Sequence, residues 1–397
     1  MVVRCMYIDL FAGCGGLSFG LHQSGWEGLF AIEKNIDAFA TLKYNLIDNA
    51  NHFIWPEWLE ISNLDINEVL EIHKESLRQL RGEIPLVVGG PPCQGFSLAG
   101  KRDKNDIRNK LSEAYIKFIE LVRPRMIFFE NVHGFTVGFE RNGKKGKPFS
   151  SILTKKLEKM GYNVKGKVLD MSYYGVPQKR KRFILVGFLE NDPEQFFNLL
   201  DNNREQFLLE KKIKVPVNIK QAIGDLKKEY GCIDSNDSKG FKNGIYGRAA
   251  TNYQRLMRRY NIQGQIPDSH RFAKQRHDTV EILEKIMTLS DEMKRITPKQ
   301  NLVEGLKKRG ITSLKEKSIC PTLTSIPDDF IHYCEPRIMT VREYARIQSF
   351  PDCYKFKGKY TTGGKLRKVD VPRYTQVANA VPPLFAEQVG LVLRGML

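Results

Sequence analysis

Short apolar runs alternate with amphipathic segments through the first half of the chain. Several runs are rich in β-branched and aromatic residues and indicate buried strands: residues 6–11, 28–33, 84–90, 126–132 and 182–188. The stretches between them have apolar residues at helical spacing: residues 17–25, 37–46, 114–124 and 151–161. Strands that alternate with helices predict an α/β fold, in which a mostly parallel sheet carries helices on both faces.

The alternation stops near residue 205. Residues 202–214 are charged and irregular, and residues 231–248 are rich in Gly, Asn, Asp and Ser. A helical pattern returns after Pro382-Pro383 and continues to residue 397. We therefore expect a discontinuous first domain, residues 1–205 and 368–397, and a smaller irregular second domain, residues 206–367.

The 397-residue chain carries a formal net charge of +18, and this charge is distributed unevenly. Residues 1–70 contain 3 Lys or Arg against 9 Asp or Glu, whereas residues 211–340 contain 25 against 15. Such asymmetry indicates a polyanionic partner that contacts only part of the molecule. A general lysine bias of the organism's proteins is the alternative explanation.

Cysteine and histidine positions give no sign of a disulfide framework or a metal site. The seven cysteines are an odd number and form no CxxC pair, which argues against disulfides and a zinc ribbon. His270 and His277 lack partners at metal-ligand spacing, so we expect surface or phosphate-contact roles for them.

Arg4 and Asp9 interrupt the amino-terminal apolar stretch, so it is no signal peptide, and no run is long enough to span a membrane. We expect a soluble, cytoplasmic protein.

A glycine-rich loop, FAGCGGLSFG, follows the first predicted strand and opens a helix. Gly13, Gly15 and Gly16 let the backbone approach a ligand and present amide donors. Ser18 stands where the dinucleotide motif GxGxxG needs its third glycine, and the phosphate-binding motif GxxxxGK[ST] is absent. An adenosine ligand without a pyrophosphate fits this loop better, and a plain tight turn is the structural alternative.

Acidic residues follow the loop at informative distances. Glu33 ends the second predicted strand, and an acid about 20 residues beyond such a loop can bind ribose hydroxyls. Asp65 could do similar work on an adenine ring, at the end of a third strand. The combination of strand, loop, helix and acid favours ligand binding over a plain turn.

Reactive side chains stand at the ends of other predicted strands. Cys93 follows IPLVVGGPP, Glu130 follows MIFF, and Arg180 and Arg182 precede FILVG. Ligands of open α/β sheets bind outside the carboxyl ends of the strands, so Cys93 and Glu130 are placed where a ligand would bind. Whether the two arginines lie at the same edge depends on the direction of their strand. Each residue alone would suit a structural role. Together, a thiol nucleophile, a carboxyl group and an arginine suit covalent catalysis on an electron-poor ring.

These motifs resemble, in order and spacing, those of the DNA cytosine-5 methyltransferase family of the bacterial restriction–modification type. The matching blocks are DLFAGCGGLS, GGPPCQGFS, ENVHG, QKRKRFILVG, RIMTVREYARIQSFPD and YTQVANAVPP. The resemblance implies a Rossmann-like sheet that uses S-adenosylmethionine, and a target-recognition domain between the fourth and fifth blocks. One departure is Ala378, where we expect a glycine.

The resemblance also implies residue roles. Cys93 would attack C6 of a flipped-out cytosine, Glu130 would bind its N3/N4 edge, and Arg182, with Arg180 as second candidate, would contact the ring carbonyl and the thiol region. The methyl group would pass from S-adenosylmethionine to C5, leaving S-adenosylhomocysteine, with no metal involved. The residues implied for the cofactor are Phe11, Gly13, Gly15, Gly16, Leu17, Glu33, Asp65, Pro92, Leu111 and Asn379.

Partners follow from the same resemblance. The polar loop of residues 94–111 would close over double-stranded DNA, with Gln94, Ser97 and Arg108 as candidate contacts. We expect a monomer that is nucleoid-associated while on DNA, with a cognate restriction endonuclease as a further possible partner. Two rivals stay open: an RNA cytosine-5 methyltransferase, which the large basic insert argues against, and a DNA-binding protein that has lost catalysis, which the intact Cys93, Glu130 and Arg182 argue against.

Overall fold

The chain forms two compact units. The computed structural model describes residues 4–92, 109–137, 140–141, 144–259, 266–289, 292–306, 310–363, 366 and 369–397. Unit 1 comprises Met1–Met171, Arg180–Phe207 and Phe385–Leu397, and unit 2 comprises Ser172–Lys179 and Leu208–Leu384. Residues 172–179 and 368–384 thus group with unit 2, and the functional domain boundaries given above stay predictions.

The strands are β1 Met6–Leu10, β2 Glu27–Ile32, β3 Leu86–Gly89, β4 Met126–Val132, β5 Glu140–Arg141, β6 Lys144–Lys145, β7 Asn163–Asp170, β8 Lys181–Phe188, β9 Cys232–Asp234, β10 Lys242–Gly244, β11 Arg295–Ile296, β12 Ile311–Ser313 and β13 Phe330–Ile331. The α-helices are α1 Gly16–Gln23, α2 Ile36–Leu42, α3 Ile66–Ile72, α4 Lys74–Gln79, α5 Asn109–Val122, α6 Phe149–Lys159, α7 Pro193–Glu210, α8 Ile219–Ile223, α9 Asn252–Arg258, α10 His277–Thr288, α11 Val341–Ile347, α12 Arg373–Asn379 and α13 Pro383–Arg394. No described helix is long and apolar enough to cross a membrane.

The central sheet of unit 1 has the order β2-β1-β3-β4-β8-β7. The first four strands run parallel, while β8 runs antiparallel to both β4 and β7. Because β8 is reversed, its first residues lie at the same sheet edge as the carboxyl ends of β1, β3 and β4. This settles the direction that the sequence left open for Arg180 and Arg182.

The core of unit 1 follows from the apolar runs. Buried residues of β1, β3 and β4 pack with one face of α5, where Tyr115, Phe118, Ile119 and Val122 are fully buried. This spacing places four large side chains on one side of the helix, so α5 covers the sheet. The helix also places Leu111, which packs against the same core, near its amino-terminal end.

Two segments differ from the expectations. Residues 202–214 were expected to be irregular, but α7 continues through Glu210, because Phe196, Phe197, Leu200, Phe207 and Leu208 are buried along it. The charged residues of this segment lie between those positions and mask the helical period. The edge strand β7 lacks strong alternation, since none of its eight residues is fully buried and half of them are exposed, and the sequence pattern did not reveal it.

The closing helix α13 belongs largely to unit 1. The Trp26 Nε1–H donates to the Gly390 carbonyl at 2.8 Å, and Arg394 donates to the Ser24 carbonyl at 2.7 Å. A Cβ atom on Gly20 would lie 2.3 Å from the Ala386 Cβ, so α1 and α13 approach closely only because residue 20 is glycine. The last helix is therefore an integral part of the first unit.

Unit 2 is built around ion pairs as well as apolar contacts. Arg342 and Arg346 of α11 are fully buried, and Arg346 pairs with Asp352 at 2.6 Å and with Asp225 at 3.2 Å. A small three-stranded sheet, β11-β12-β13, packs on α10 through a separate apolar cluster. Buried arginines require charged partners such as Asp225 and Asp352, so α11 organises the polar interior of the unit.

Candidate active site

The glycine-rich loop between β1 and α1 has a left-handed backbone at Phe11, Gly13 and Gly15, with φ values of 60°, 58° and 84°. A non-glycine residue such as Phe11 rarely adopts this conformation, which is typical of functional loops. A Cβ atom built on Gly13 would meet nothing within 4 Å, so open space lies beside it. Gly15 precedes α1 without a side chain to cap it, and the buried Gly16 and Leu17 begin the helix.

Glu33 lies just beyond β2 and holds the glycine-rich loop through its carboxylate. Oε2 accepts the Gly13 N–H at 2.9 Å, and Oε1 accepts the Asn35 N–H at 2.7 Å. Burial raises the pKa of the Glu33 carboxyl, although hydrogen bonds from Asn35, Gly13 and Lys34 oppose the shift. Each carboxylate oxygen can accept a second hydrogen bond, so Glu33 can also bind hydroxyl groups.

Asp65 caps α3 and does not end a strand, so that expectation is wrong. Its Oδ1 accepts the Asn67 N–H at 2.8 Å, and its Oδ2 pairs with Lys34 Nζ at 2.7 Å. Burial opposes ionisation of Asp65, but the hydrogen bonds from Lys34 and Asn67 outweigh burial and lower the pKa. The Lys34–Asp65 pair connects the residue after Glu33 to α3, while a contact of Asp65 with an adenine ring stays a prediction.

Glu130 and Arg182 form a nearly buried ion pair at the sheet edge. The Arg182 Nε lies 3.0 Å from Glu130 Oε1, and the side chains are 12% and 10% exposed. In the register, Val132 faces Arg182, so Glu130 is a diagonal neighbour on the same face of the antiparallel pair. The reversed direction of β8 thus brings together two residues that are 52 positions apart in the sequence.

Arg180 is buried just before β8, with 1% exposure. Burial lowers the pKa of its guanidinium, the charge of Arg182 adds to that effect, and the charge of Glu130 opposes it. These interactions place all three side chains in one electrostatic cluster. Arg182 contacts Glu130 directly, so it is the stronger candidate for a role at a substrate ring.

The end of β3 contacts the same cluster. Gly89 pairs with Phe129, and a Cβ atom on the next residue, Gly90, would lie 3.2 Å from Glu130 Oε2. Asn131, which is buried, donates through Nδ2 to the Pro91 carbonyl at 3.2 Å. The sequence motifs do not indicate Asn131, although a polar residue inside an apolar strand is a signal for such a role.

Several predicted site residues lie elsewhere or outside the described part of the chain. Cys93, Gln94, Ser97 and Arg108 fall within residues 93–108, which the structure does not describe. Pro92 is described and exposed. Asn379 is the last residue of α12 and belongs to unit 2, and Ala378 before it occupies a helical position where alanine is well suited.

The expectation for His270 is wrong, because this side chain is fully buried and its Nδ1 lies 2.8 Å from Thr340 Oγ1. His277, in contrast, is 91% exposed at the start of α10. Within the described ranges, no group of three or more His, Cys, Asp or Glu side chains is placed to hold a metal ion.

A second polar chain, which the sequence pattern did not indicate, links Tyr7 near the start of β1 to His22 near the end of α1. His22 Nδ1 lies 3.1 Å from His52 Nδ1, and His52 Nε2 lies 2.7 Å from the Tyr7 hydroxyl. Two facing Nδ1 atoms can share only one proton, so a second proton on the pair breaks the contact. Burial, with a smaller contribution from His22, lowers the pKa of His52 to about 3.

The contacts of His52 with His22 and Tyr7 predict that the stability of the protein depends on pH. In the unfolded chain His52 takes up a proton near pH 6.5, whereas in the folded protein it does not. The contribution of His52 to the free energy of unfolding is therefore complete above pH 6.5 and is lost as the pH falls. The destabilisation caused by His52→Gln should therefore shrink by about 1.4 kcal/mol between pH 7.5 and 5.5, measured by urea unfolding. Burial raises the pKa of Asp9 to about 7, which acts in the opposite direction, but both proteins carry Asp9. A pH-independent difference would contradict the prediction.

Known proteins resemble this chain over nearly its whole length. The family model for C-5 cytosine-specific DNA methylase matches residues 5–394. Among the most similar relatives, the Type II methyltransferase M.DdeI of Desulfomicrobium norvegicum is 32% identical over 393 residues, covering 96% of this chain and 86% of that protein. The Type II methyltransferase M.XorII of Xanthomonas oryzae pv. oryzae is 30% identical, covering 98% of this chain and 84% of that protein.

A solved structure shows the same architecture. It is described as a prophage-encoded DNA modification methyltransferase of E. coli, and it superposes with a TM-score of 0.64 at 22% identity, covering 98% of each chain. At this identity the likeness concerns the fold alone. It confirms the predicted α/β methyltransferase fold, with a parallel-rich sheet surrounded by helices.

Proposed function

Because the chain belongs to the C-5 cytosine-specific DNA methylase family, and is thus a DNA cytosine-5 methyltransferase, we propose that it methylates C5 of a flipped-out cytosine within one short DNA sequence. The methyl donor is S-adenosylmethionine, and catalysis passes through a covalent bond between Cys93 and C6. The observation that carries this proposal is the Glu130–Arg182 pair, which contacts the end of β3 where the chain leads toward Cys93.

The groups around the glycine-rich loop fit this cofactor. Open space beside Gly13 and spare acceptor capacity on Glu33 suit an adenosine with a free ribose. When bound, S-adenosylmethionine supplies an electrophilic methyl group and leaves S-adenosylhomocysteine. The residues that would hold it are Phe11, Gly13, Gly15, Gly16, Leu17, Glu33 and Asp65, with Pro92, Leu111 and Asn379 as further contacts.

Side chains of the protein activate and orient the cytosine. The Cys93 thiolate forms a bond to C6, and the electrons of the C5–C6 double bond become available at C5 for the new bond to carbon. Glu130 holds a proton at the N3/N4 edge, and Arg182 orients Glu130 and the ring carbonyl. Loss of the C5 proton to a base restores the double bond and expels the Cys93 thiolate, which regenerates the enzyme.

Access to C6 requires that the base leave the duplex, because stacking shields C6 inside double-stranded DNA. Unit 2 would read the sequence, and the loop with Gln94, Ser97 and Arg108 would contact DNA near the extruded base. The protein would act as a monomer in the cytoplasm and would be associated with the nucleoid while it is bound to DNA. Since the relatives above are Type II methyltransferases, a cognate restriction endonuclease is the proposed partner.

The proposal is tested by incubating the purified protein with unmethylated DNA and S-adenosylmethionine and mapping 5-methylcytosine by bisulfite sequencing. We expect methylation at one short sequence, which would also identify what unit 2 reads. Absence of 5-methylcytosine from DNA, with methylation of RNA by the same preparation, would overturn the DNA assignment. Methylation spread over unrelated sequences would overturn sequence specificity.

DNA binding is expected to weaken steeply with salt. A protein that neutralises about four phosphates releases their counterions and loses on the order of 10²-fold in affinity between 50 and 200 mM salt. The basic excess of residues 211–340 supplies such contacts. Fluorescence anisotropy with a labelled duplex measures the change, and calorimetric binding of S-adenosylmethionine at the same salt concentrations is the control. Equal DNA affinity at both concentrations would show that this region does not face phosphate.

A further inference from the structure

Two buried glutamines in unit 2 form a continuous hydrogen-bonded chain. Gln178 and Gln348 are both fully buried. Gln178 Oε1 accepts the Leu323 N–H at 3.1 Å, Gln178 Nε2 donates to Gln348 Oε1 at 2.5 Å, and Gln348 Nε2 donates to the Ala380 carbonyl at 2.5 Å. We call this chain, from Leu323 to Ala380, the glutamine relay.

The relay has only one consistent orientation. An amide that receives an N–H at Oε1 must donate through Nε2, so the bond from Leu323 sets the direction at Gln178 and then at Gln348. A flip of either amide would place two donors or two acceptors against each other in a buried site, which is costly. The relay therefore fixes the positions of the backbone segments at its two ends.

Gln178, the first glutamine of the relay, lies in the segment that leads directly into Arg180. Lys179 donates its N–H to the Cys320 carbonyl at 2.8 Å, and the Cys320 N–H donates to the Pro177 carbonyl at 3.2 Å. Thr322 Oγ1 donates to the Lys179 carbonyl at 2.6 Å. Residues 177–179 are thus bound to residues 320–323 on both sides of Gln178.

The other end of the relay lies next to Asn379, the residue implied for cofactor binding. Ala380 follows Asn379 at the end of α12. Ser349, next to Gln348, has φ 63°, and its Oγ accepts the Leu384 N–H at 3.1 Å. A strained non-glycine residue persists only where its surroundings hold it firmly, so the backbone next to Gln348 is held in place by its neighbours.

We propose that Gln178 and Gln348 are positioning residues for methyl transfer: the relay holds, within unit 2, both the segment that leads into Arg180 and Arg182 and the segment that ends at Asn379. This inference rests on the function proposed above. Both glutamines would act through these two segments and not by touching the substrate. Misplacement of reacting groups by even about 1 Å can cost on the order of 10²-fold in rate, so a loosened relay has a measurable effect.

The alternative is that the relay only stabilises unit 2, and Gln254 provides a matched comparison. Gln254 is also buried in unit 2, and its amide bonds to backbone at both ends, with Ala250 N–H at 2.7 Å and the Lys220 carbonyl at 3.1 Å. These contacts do not involve a segment next to a proposed site residue. A purely structural role would make the relay variants behave like Gln254→Met.

The experiment compares full-length Gln178→Met, Gln348→Met, the double variant and Gln254→Met. Methionine matches glutamine in length but makes no such hydrogen bonds. We expect kcat to fall about tenfold or more in Gln178→Met, and KM for S-adenosylmethionine to rise as well in Gln348→Met. The double variant should be no worse than the worse single variant, because either change breaks the same chain. Gln254→Met should lose thermal stability but keep kcat and KM within about twofold.

Equal kcat and KM in the relay variants and Gln254→Met would overturn the proposal. If Gln178→Met does not fold, Thr322→Val tests the same segment, since Thr322 is exposed and its substitution removes only the bond to Lys179. An unchanged kcat in Thr322→Val would then show that the placement of residues 177–179 does not limit methyl transfer, which would overturn the proposal. Failure of the proposed function is distinguishable, because it appears without any change to the relay, either as absent DNA methylation by the wild type or as full activity of Cys93→Ala.

Discussion

Cys93→Ala is expected to lower methyl transfer to DNA by a factor on the order of 10⁴ or more, as is typical when an enzyme loses its nucleophile. C5 of cytosine is not nucleophilic enough to take a methyl group until a thiolate has added to C6. The substitution removes only a sulfur atom, so binding of DNA and S-adenosylmethionine should remain close to wild type.

The measurement is incorporation of tritiated methyl groups into unmethylated DNA. Cys232→Ala is the matched control, since Cys232 is an exposed cysteine on β9 and should be fully active after substitution. A second readout is the denaturation-resistant adduct with DNA that carries 5-fluorocytosine. This adduct should form with the wild type and with Cys232→Ala, and be absent from Cys93→Ala. Wild-type turnover by Cys93→Ala would refute the covalent mechanism.

Glu130→Gln should lower kcat on the order of 10³-fold, within the usual range for loss of a positioned proton donor. The amide keeps the shape of the carboxyl group but cannot hold the proton at the N3/N4 edge. It also leaves the Arg182 guanidinium without its charge partner at 3.0 Å, in a site where both side chains are nearly buried. Both effects act on the same step, so DNA affinity should change far less than kcat.

Glu194→Gln is the appropriate control for the lost ion pair. Glu194 pairs with Lys165 at 3.1 Å on the edge strand of the same sheet, and it is 37% exposed. Its substitution removes a carboxylate from unit 1 without affecting the Glu130 cluster, so methylation rates should stay at the wild-type level. If Glu130→Gln retains more than about a tenth of the wild-type kcat, proton transfer by Glu130 is not part of the mechanism.

The sequence by itself determined the strands and helices of the sheet and the types of residue at its edge. Apolar runs such as residues 84–90 and 126–132 specify buried strands locally, because burial on both faces requires unbroken apolar sequence. The ordered motifs around Cys93, Glu130 and Arg182 indicated the family, and the family match confirms it. Segments whose burial depends on distant partners, such as β7 and the end of α7, carry no comparable local pattern and could not be predicted.

Only the tertiary structure decided which of these residues meet. The antiparallel direction of β8 places Arg182 against Glu130, and no local pattern encodes strand direction. In the same way, Gln178 and Gln348 are 170 positions apart and each looks like an ordinary polar residue in the sequence. Their pairing exists because a buried amide must find hydrogen-bond partners wherever the folded chain supplies them. Local composition specifies the elements, and the burial of polar groups among those elements determines the contacts at the site.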